Sequence, residues 1–238
     1  MIPDWQIRTE MLLGEAALQR LEAARVAVVG LGGVGAMAAE MLVRAGIGHI
    51  VLIDVDKVSE SNINRQLVAL HSTVGQPKAA LFAARLRDIN PELELTVLDE
   101  YLRDERLVEV LEAERYTGVV DAIDTLSPKV FLLYHCHRLG LPVVSAMGSG
   151  GRMDGSRVQT ADISRSYGCP LAAVVRKRLR RMGVEDGIRV VFSDEAVPEY
   201  AMVEEIGENK RTTLGTISYM PALFGCRLAE EMIKNVLS

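Results

Sequence analysis

The chain has 238 residues, of which 49% are hydrophobic and 25% charged, and its net charge at pH 7 is −5. A chain of this size can bury a compact core in one or two fused domains, and its acidic balance argues against indiscriminate binding of nucleic acid. Its three cysteines, Cys136, Cys169 and Cys226, are odd in number and unclustered, which excludes a disulfide framework and a Cys-x-x-Cys zinc site.

Neither end of the chain has the pattern of a membrane segment or a signal peptide. Asp4 stands where a signal peptide would be basic. Residues 220–237 are partly apolar but contain four charged side chains, so they predict an amphipathic helix. We therefore expect a cytoplasmic enzyme without a membrane partner.

The first motif is a glycine-rich turn between a predicted strand and a predicted helix. Residues 25–30 form a β-branched run typical of a buried parallel strand, and the helix is expected from about residue 33 to residue 45. Four glycines lie in or beside the turn: Gly30, Gly32, Gly33 and Gly35. They let the backbone approach a polyphosphate, while Asp54, at the end of the next strand, can accept hydrogen bonds from ribose hydroxyls. These features alone favour a nicotinamide-dependent oxidoreductase of the Rossmann type.

Polar and cationic side chains after Asp54 favour phosphate chemistry over hydride transfer. Arg65 has a planar guanidinium suited to phosphate oxygens, and Asn62 and Gln66 offer amides in a loop where we expect no polar group to be needed for packing. Lys78 begins a predicted helix, where a cation is unfavourable for the helix dipole. We therefore expect a bound anion beside Lys78, with a solvated lysine as the alternative.

Two carboxylates follow a third predicted strand in the segment GVVDAIDTLSPK. Asp121 and Asp124 lie near the carboxyl end of this strand, where open α/β sheets bind ligands. Mg²⁺ prefers one or two carboxylates together with phosphate oxygens, so this pair could hold it against a triphosphate. We favour Asp124 as the metal ligand and expect Asp121 to cap a helix or satisfy a loop.

Together these motifs resemble the adenylating fold of the ubiquitin-activating-type enzymes, which include the bacterial ThiF and MoeB proteins. GLGGVG, the first aspartate of LIDVD, NINRQ, the lysine of GQPKAA and the second aspartate of DAIDT occur in the order of that family. The resemblance implies an ATP site in which Asp54 binds ribose and Asp124 holds Mg²⁺. It implies phosphate contacts from Asn62, Arg65 and Lys78. Catalytic roles are expected for Arg65, Lys78 and Asp124, with Gln66 and the four glycines in nucleotide binding.

The second half resembles one branch of that family, the tRNA threonylcarbamoyladenosine dehydratases, over residues 161–198. This resemblance implies ATP-dependent cyclisation of threonylcarbamoyladenosine beside the tRNA anticodon, by adenylation of the substrate carboxylate. Cys169 departs from the pattern, because an aspartate is expected before the proline. The alternative function is activation of the terminal Gly-Gly of a ubiquitin-like sulfur carrier, and a nicotinamide-dependent oxidoreductase is a further one.

The resemblance also implies partners. It predicts a homodimer in which Arg8 reaches the ATP of the neighbouring subunit, although a solvated arginine on a terminal arm explains Arg8 equally well. It further raises a monovalent cation as a possible occupant of the site, and a cysteine-desulfurase sulfur-relay system as a possible partner.

A basic run over residues 171–182 has no acidic residue, and its cations are Arg176, Lys177, Arg178, Arg180 and Arg181. On a helix these five spread over more than one face, so some could contact RNA phosphates. A solvated helix is the commoner outcome for such a run. Given the resemblance to a tRNA-modifying branch, we predict that these residues contact tRNA.

The predicted architecture is an α/β chain with a Rossmann-like, doubly wound, largely parallel sheet and an appended second half. Residues 1–150 are expected to form the ATP-binding adenylating domain, with a helical arm at the amino terminus. Residues 151–238 are expected to form a substrate-binding and dimer-forming half continuous with the first. Residues 147–155 predict a glycine-rich loop, and residues 199–216 an irregular stretch.

Overall fold

The computed structural model describes residues 2–205 and 211–238. Strands of the main sheet are β1 (Arg25–Val29), β2 (His49–Ile53), β3 (Glu94–Leu98), β4 (Gly118–Asp121), β5 (Val143–Ala146), β6 (Val158–Asp162) and β7 (Arg189–Ser193). A separate hairpin contains β8 (Met202–Glu205) and β9 (Arg211–Leu214). Helices are α1 (Ile7–Leu13), α2 (Glu15–Ala23), α3 (Gly35–Ala45), α4 (Lys78–Ile89), α5 (Asp104–Glu112), α6 (Leu126–Arg138), α7 (Pro170–Arg181) and α8 (Tyr219–Leu237).

The main sheet has the strand order β3-β2-β1-β4-β5-β7-β6. All its neighbouring strands are parallel except β6, which pairs antiparallel with β7 at the edge. The order reverses between β1 and β4, which pair with Val29 opposite Asp121. Because ligands of open α/β sheets bind outside the carboxyl ends of strands at such a reversal, the nucleotide site is expected beside β1 and β4.

Helices cover both faces of the sheet, which confirms the doubly wound α/β prediction. One buried cluster joins the sheet to α2, α3, α4 and α8, and its largest side chains include Phe82 and Phe224. The other joins the opposite face to α5, α6 and α7. Neighbouring residues of β1 alternate between these clusters, with Val28 in the first and Val29 in the second. A strand buried on both faces needs this uninterrupted apolar sequence.

Helix α3 begins at Gly35, two residues later than the sequence predicts, because Gly33 still belongs to the turn. Its alanines, methionines and leucine favour helix. The helix ends at Gly46, whose φ of 110° gives the left-handed cap that glycine adopts without strain. Further along, Gly225 of α8 lies against α3, where a Cβ would be 2.5 Å from the carbonyl oxygen of Val34. This glycine lets the last helix pack closely on the helix that follows the turn.

The second half of the chain is built into the same sheet as the first. Strand β7 pairs directly with β5, and α8 packs on α3, so residue 150 does not divide two separate cores. Residues 202–205 and 211–214 are not irregular as predicted, since they form the β8-β9 hairpin. The backbone N–H of Gly151 donates to the carbonyl of Gly215, which ties the glycine-rich loop to the base of this hairpin. No helix among the described residues is long and apolar enough to cross a membrane.

Candidate nucleotide site

The turn after β1 touches the loop after β4 at the reversal of strand order. Gly30 has a φ of 91°, and a Cβ there would lie 2.8 Å from the carbonyl oxygen of Ala122. Only glycine combines this backbone conformation with so close an approach. A Cβ on Gly35 would likewise lie 2.9 Å from the Ala122 side chain. Both glycines therefore keep the crevice between β1 and β4 narrow.

Arg65 and Gln66 lie over the same turn. A Cβ on Gly33 would be 2.8 Å from the carbonyl oxygen of Arg65, and one on Gly32 would be 3.8 Å from Gln66 Nε2. The side chain of Gln66 is buried, and its Oε1 has no hydrogen-bond partner within the described part of the chain. A buried acceptor without a partner is costly, so this amide suits a site that a ligand completes. The structure thus brings the NRQ segment against the glycines, and the nucleotide contacts themselves remain a prediction.

Asn62 and Asn64 have structural partners that the sequence did not reveal. Asn62 is buried, and its Oδ1 accepts a hydrogen bond of 3.1 Å from the backbone N–H of Ser59. Our expectation that this loop needs no polar side chain for packing is therefore wrong for Asn62. Asn64 Nδ2 donates across 2.9 Å to the carbonyl of Thr216, at the base of the hairpin. The oxygen of the Asn62 amide therefore serves the loop itself, and a contact from Asn62 to phosphate stays a prediction.

Asp54 stands immediately after β2, and both of its carboxylate oxygens accept backbone hydrogen bonds. Oδ2 accepts from the N–H of Leu31 at 2.5 Å and Oδ1 from the N–H of Asp56 at 2.7 Å. Burial raises the pKa of Asp54, and the two backbone donors oppose part of that shift. Because each carboxylate oxygen has a second lone pair, the group can still accept from ribose hydroxyls. The bond to Leu31 holds the carboxylate beside the glycine-rich turn.

Lys78 is the first residue of α4, as predicted, and its side chain is only 6% exposed. Its Nζ lies 2.9 Å from Asp56 Oδ2. We expected a bound anion to explain a cation at this helix start, but the carboxylate of Asp56 already supplies one. Asp56 is 65% exposed, so its charge is well solvated. The ammonium of Lys78 therefore already has a counter-ion, and its contact with a phosphate stays a prediction.

Asp121 and Asp124 have different environments. Asp121 has no exposed side-chain surface and lies 2.6 Å from Lys129 Nζ, so its charge is already neutralised inside the protein. Its Oδ1 accepts a hydrogen bond of 3.0 Å from the backbone N–H of Ile123, so Asp121 satisfies the loop after β4, as expected, while Lys129 is its ion-pair partner. Asp124 is exposed in the loop that touches Gly30. Of the two, only Asp124 can reach a ligand.

The donor set suits a divalent cation that arrives with a nucleotide. No group of three or more acidic, histidine or cysteine side chains could hold a metal ion anywhere in residues 2–205 and 211–238. A single exposed carboxylate, Asp124, in the loop that contacts the glycine-rich turn matches the preference of Mg²⁺, which takes one or two carboxylates and completes its shell with phosphates and water. The residues present therefore fit Mg²⁺ bound to a triphosphate.

Helix α7 places four of the five cations of the basic run on one side. The sequence predicted that the five would spread over more than one face of the helix. These four, with Ala173, line a shallow cavity of about 450 Å³: Arg176, Lys177, Arg180 and Arg181. Arg178 points elsewhere, since its Nη1 lies 3.2 Å from Ser127 Oγ. Arg176 is partly committed to the fold, because it donates to the carbonyl of Ser166 at 2.7 Å.

The remaining predicted residues lie away from the crevice or are buried. Arg8 is exposed on α1, and its contact with a nucleotide stays a prediction. Cys136 and Cys169 are buried, whereas Cys226 is exposed. Burial, with a smaller contribution from the negative charge of Asp121, raises the pKa of Cys136 to about 12. That thiol is therefore protonated and unreactive at neutral pH.

Sequence reasoning missed two residues that shape the site, Lys129 and Asp56. Lys129 belongs to the DAIDTLSPK segment and has no exposed surface. Its signal was a charged residue on the apolar side of a helix, beside Val130 and Leu133. Asp56 follows Asp54 by two residues, and nothing in the sequence linked it to Lys78, which lies 22 residues further along.

Comparison with known proteins identifies the family. A model described as the ThiF family matches residues 5–238. The chain is 44% identical to the tRNA threonylcarbamoyladenosine dehydratase of Bacillus subtilis, over 97% of this chain and 93% of that one. Two crystal structures of the E. coli tRNA N6-threonylcarbamoyladenosine dehydratase, TcdA, each cover 100% of this chain and 97% of their own. The complex with ATP has a TM-score of 0.88 at 37% identity, and the complex with AMP 0.87 at 38%. The chain belongs to the ThiF family and, within it, to the tRNA threonylcarbamoyladenosine dehydratases.

Proposed function

We propose that this protein uses ATP to dehydrate threonylcarbamoyladenosine next to the anticodon of tRNA, giving the cyclic form. One observation carries the proposal: the crevice between β1 and β4 joins the glycine-rich turn, Arg65 and Asp54 in a chain that matches a dehydratase of this name over almost its whole length. The turn and the carboxylate suit the phosphates and ribose of a nucleotide. Arg65 adds the positive charge that a phosphoryl transfer needs.

The chemistry has two steps, and both use groups of the substrates. The substrate carboxylate attacks the α-phosphate of ATP, which forms an acyl adenylate and releases pyrophosphate. The carbamoyl group then attacks the acyl carbon, closes the ring and releases AMP, which carries away the carboxylate oxygen. Arg65 and Lys78 stabilise the charge that builds on the phosphates in the first step. The remaining contribution of the protein is positioning, so no protein nucleophile is needed.

Mg²⁺ is part of the proposal, with Asp124 as its protein ligand. When bound, the ion would neutralise triphosphate charge and favour the departure of pyrophosphate. Asp124 is suited to this role because it is exposed and follows the two loop residues that contact Gly30, whereas Asp121 is paired with Lys129. The hydrogen bond that the backbone N–H of Ile123 donates to Asp121 Oδ1 holds the backbone next to Asp124.

The four cations of α7 that line one cavity form our proposed tRNA surface. Within the described chain none of them makes an ion pair with an acidic side chain, although Arg176 donates to the carbonyl of Ser166. Lys177, Arg180 and Arg181 are exposed. A cluster of unpaired cations on a protein of net charge −5 is a local excess suited to a phosphate backbone.

We also propose a homodimer, with the amino-terminal arm at its interface. Met11 and Leu12 of α1 are each 82% exposed, which is unfavourable for a helix in water. Arg8 lies on the same helix and could reach the nucleotide of a second subunit. A cytoplasmic location follows from the proposed tRNA substrate. No feature of residues 2–205 and 211–238 supports a monovalent cation or a sulfur-relay partner, and the proposal includes neither.

The test is mass spectrometry of nucleosides from tRNA incubated with the protein, ATP and magnesium. Loss of one water from threonylcarbamoyladenosine, with one AMP formed per product, is the expected result. Unchanged tRNA together with ATP-dependent adenylation of a Gly-Gly carrier terminus would favour the carrier-activating function instead. Binding of NADH without binding of ATP would favour an oxidoreductase.

A further inference from the structure

A buried polar cluster joins three segments directly beneath the nucleotide crevice. Lys129 of α6 donates from Nζ to Asp121 Oδ2 at 2.6 Å, to Ser145 Oγ at 3.3 Å and to the carbonyl of Ala146 at 2.9 Å. Ser145 Oγ also donates to Asp121 Oδ2, at 2.5 Å. The side chains of Asp121 and Lys129 have no exposed surface. All three donors of the ammonium are satisfied, and the cluster ties the end of β4 to the end of β5.

Stability alone is a weak explanation for this pair. Desolvation of two charges is expensive, and an apolar pair of similar volume in such a place is often as stable or more stable. Yet the carboxylate has a second function, because Asp121 Oδ1 accepts from the backbone N–H of Ile123 at 3.0 Å. That bond fixes the first residues of the loop after β4.

The loop that Asp121 holds is the one that meets the glycine-rich turn. Backbone atoms of Ala122 and Ile123 are the nearest neighbours of a Cβ built on Gly30. That Cβ would lie 2.8 Å from the Ala122 carbonyl oxygen and 3.3 Å from the Ile123 nitrogen. Asp124, the proposed metal ligand, is the next residue. A displacement of this loop would therefore move both the wall of the crevice and the carboxylate of Asp124.

We propose that Asp121 is a positioning residue for adenylation. Its carboxylate, whose buried charge Lys129 neutralises, accepts from the Ile123 amide and keeps loop 122–124 in the geometry that the triphosphate requires. The inference rests on the proposed function, because it assumes that adenylation occurs in this crevice. It assigns Asp121 no contact with metal or substrate.

The test compares two double variants that both remove the buried charges. In Asp121→Asn with Lys129→Met, the amide oxygen can still accept from the Ile123 N–H. In Asp121→Leu with Lys129→Met, a side chain of similar shape cannot accept. Urea denaturation gives the folded fraction of each, and pyrophosphate exchange with modified tRNA gives kcat, the KM for ATP and the magnesium concentration at half-maximal rate.

We expect the Asn variant to stay within about threefold of the wild-type kcat per folded protein. In the Leu variant kcat should fall about tenfold or more, which corresponds to the free energy of one hydrogen bond. Its magnesium concentration at half-maximal rate should rise. Equal kcat in the two variants, whether high or low, would overturn the inference. Absence of exchange in the wild-type protein would instead refute the proposed function.

Amide hydrogen exchange supplies a measurement that needs no stable variant. In the wild-type protein the Ile123 amide should exchange far more slowly than an unbonded loop amide, because Asp121 accepts from it. Exchange of Ile123 at the rate of a free loop amide would also overturn the inference.

Discussion

Gly30 and Ala122 bring two strand ends so close that a Cβ on Gly30 would lie 2.8 Å from the Ala122 carbonyl oxygen. Gly30→Ala should therefore weaken both folding and ATP binding. The positive φ alone costs about 1–3 kcal/mol for a residue with a side chain, and the backbone contact adds to that. Gly140→Ala is the matched control, since Gly140 has a φ of 64° with nothing within 4 Å. Urea denaturation and ATP titration measure the loss of stability and of ATP affinity in each variant. Equal losses in the two variants would show that the contact between Gly30 and Ala122 has no effect of its own.

The contribution of Lys78 can be separated from its pairing with Asp56. Lys78→Met should lower kcat for adenylation by about 10²-fold, as the loss of one stabilising charge does elsewhere, with a smaller effect on the KM for ATP. Asp56→Asn removes the same ion pair but keeps the ammonium. If Lys78 serves only to pair with Asp56, both variants will lose equal activity in steady-state assays.

Arg65→Ala should cause a loss of similar size, about 10²-fold in kcat, because Arg65 lies over the glycine-rich turn. Its hydrogen bonds to the Ser61 carbonyl and to Asn64 are on an exposed loop, so stability should change little. Arg87→Ala, an exposed arginine at the end of α4, is the control. Near-normal turnover of the Arg65 variant would remove this residue from the site.

Asp124→Asn should abolish magnesium-dependent adenylation and leave the fold intact. The amide keeps the shape of the carboxylate but lacks the charge that holds a divalent cation. Asp88→Asn, on the exposed side of α4, serves as the control. Rates measured across a magnesium titration decide the matter, and a wild-type response in the Asp124 variant would show that another group holds the ion.

The tRNA surface on α7 predicts a change in salt dependence. A combined Lys177→Ala, Arg180→Ala and Arg181→Ala variant should lower the slope of log affinity against log salt by somewhat under one unit per lost phosphate contact. ATP binding should be unchanged. Arg178→Ala, on another side of the helix, should leave the slope unaltered. Affinities for tRNA at several salt concentrations test this prediction. An unaltered slope in the triple variant would show that these cations face solvent and do not contact tRNA.

A pH-dependent stability contribution is expected at Glu40, between α3 and α4. Burial acts to raise the pKa of Glu40, but Arg85 and Arg44 outweigh it, so the folded pKa lies below the ordinary value of 4.5. Because the pKa of Glu40 is lower in the folded protein, its ionised carboxylate stabilises the fold fully at pH values above the pKa of the unfolded chain. This contribution is lost as the pH falls through the pKa of the folded protein. Glu40→Gln should therefore cost about 1–3 kcal/mol at neutral pH and less below about pH 4. Urea denaturation across that range, with exposed Glu22→Gln as the control, would refute this if the two variants behaved alike.

The sequence alone determined the doubly wound fold and predicted the candidate nucleotide site in outline. Hydrophobic periodicity predicts the strands and helices locally. Asp54, Arg65 and Lys78 follow the glycine-rich turn at short separations along the chain, so sequence motifs are enough to identify them. The amphipathic last helix followed from the same kind of pattern. These features depend on neighbours along the chain, so a sequence records them directly.

Tertiary structure decided which polar groups are exposed beside the glycine-rich turn and which pair with one another. Asp121 and Asp124 are three residues apart and chemically identical, yet only the packing of α6 against β4 gives one of them Lys129 and leaves the other exposed. The pairing of Lys78 with Asp56 likewise depends on how α4 meets the loop after β2. The energy of a buried charged side chain depends on the partner that folding brings within a few ångströms. The role of such a side chain therefore follows from the tertiary structure and not from its position in the sequence.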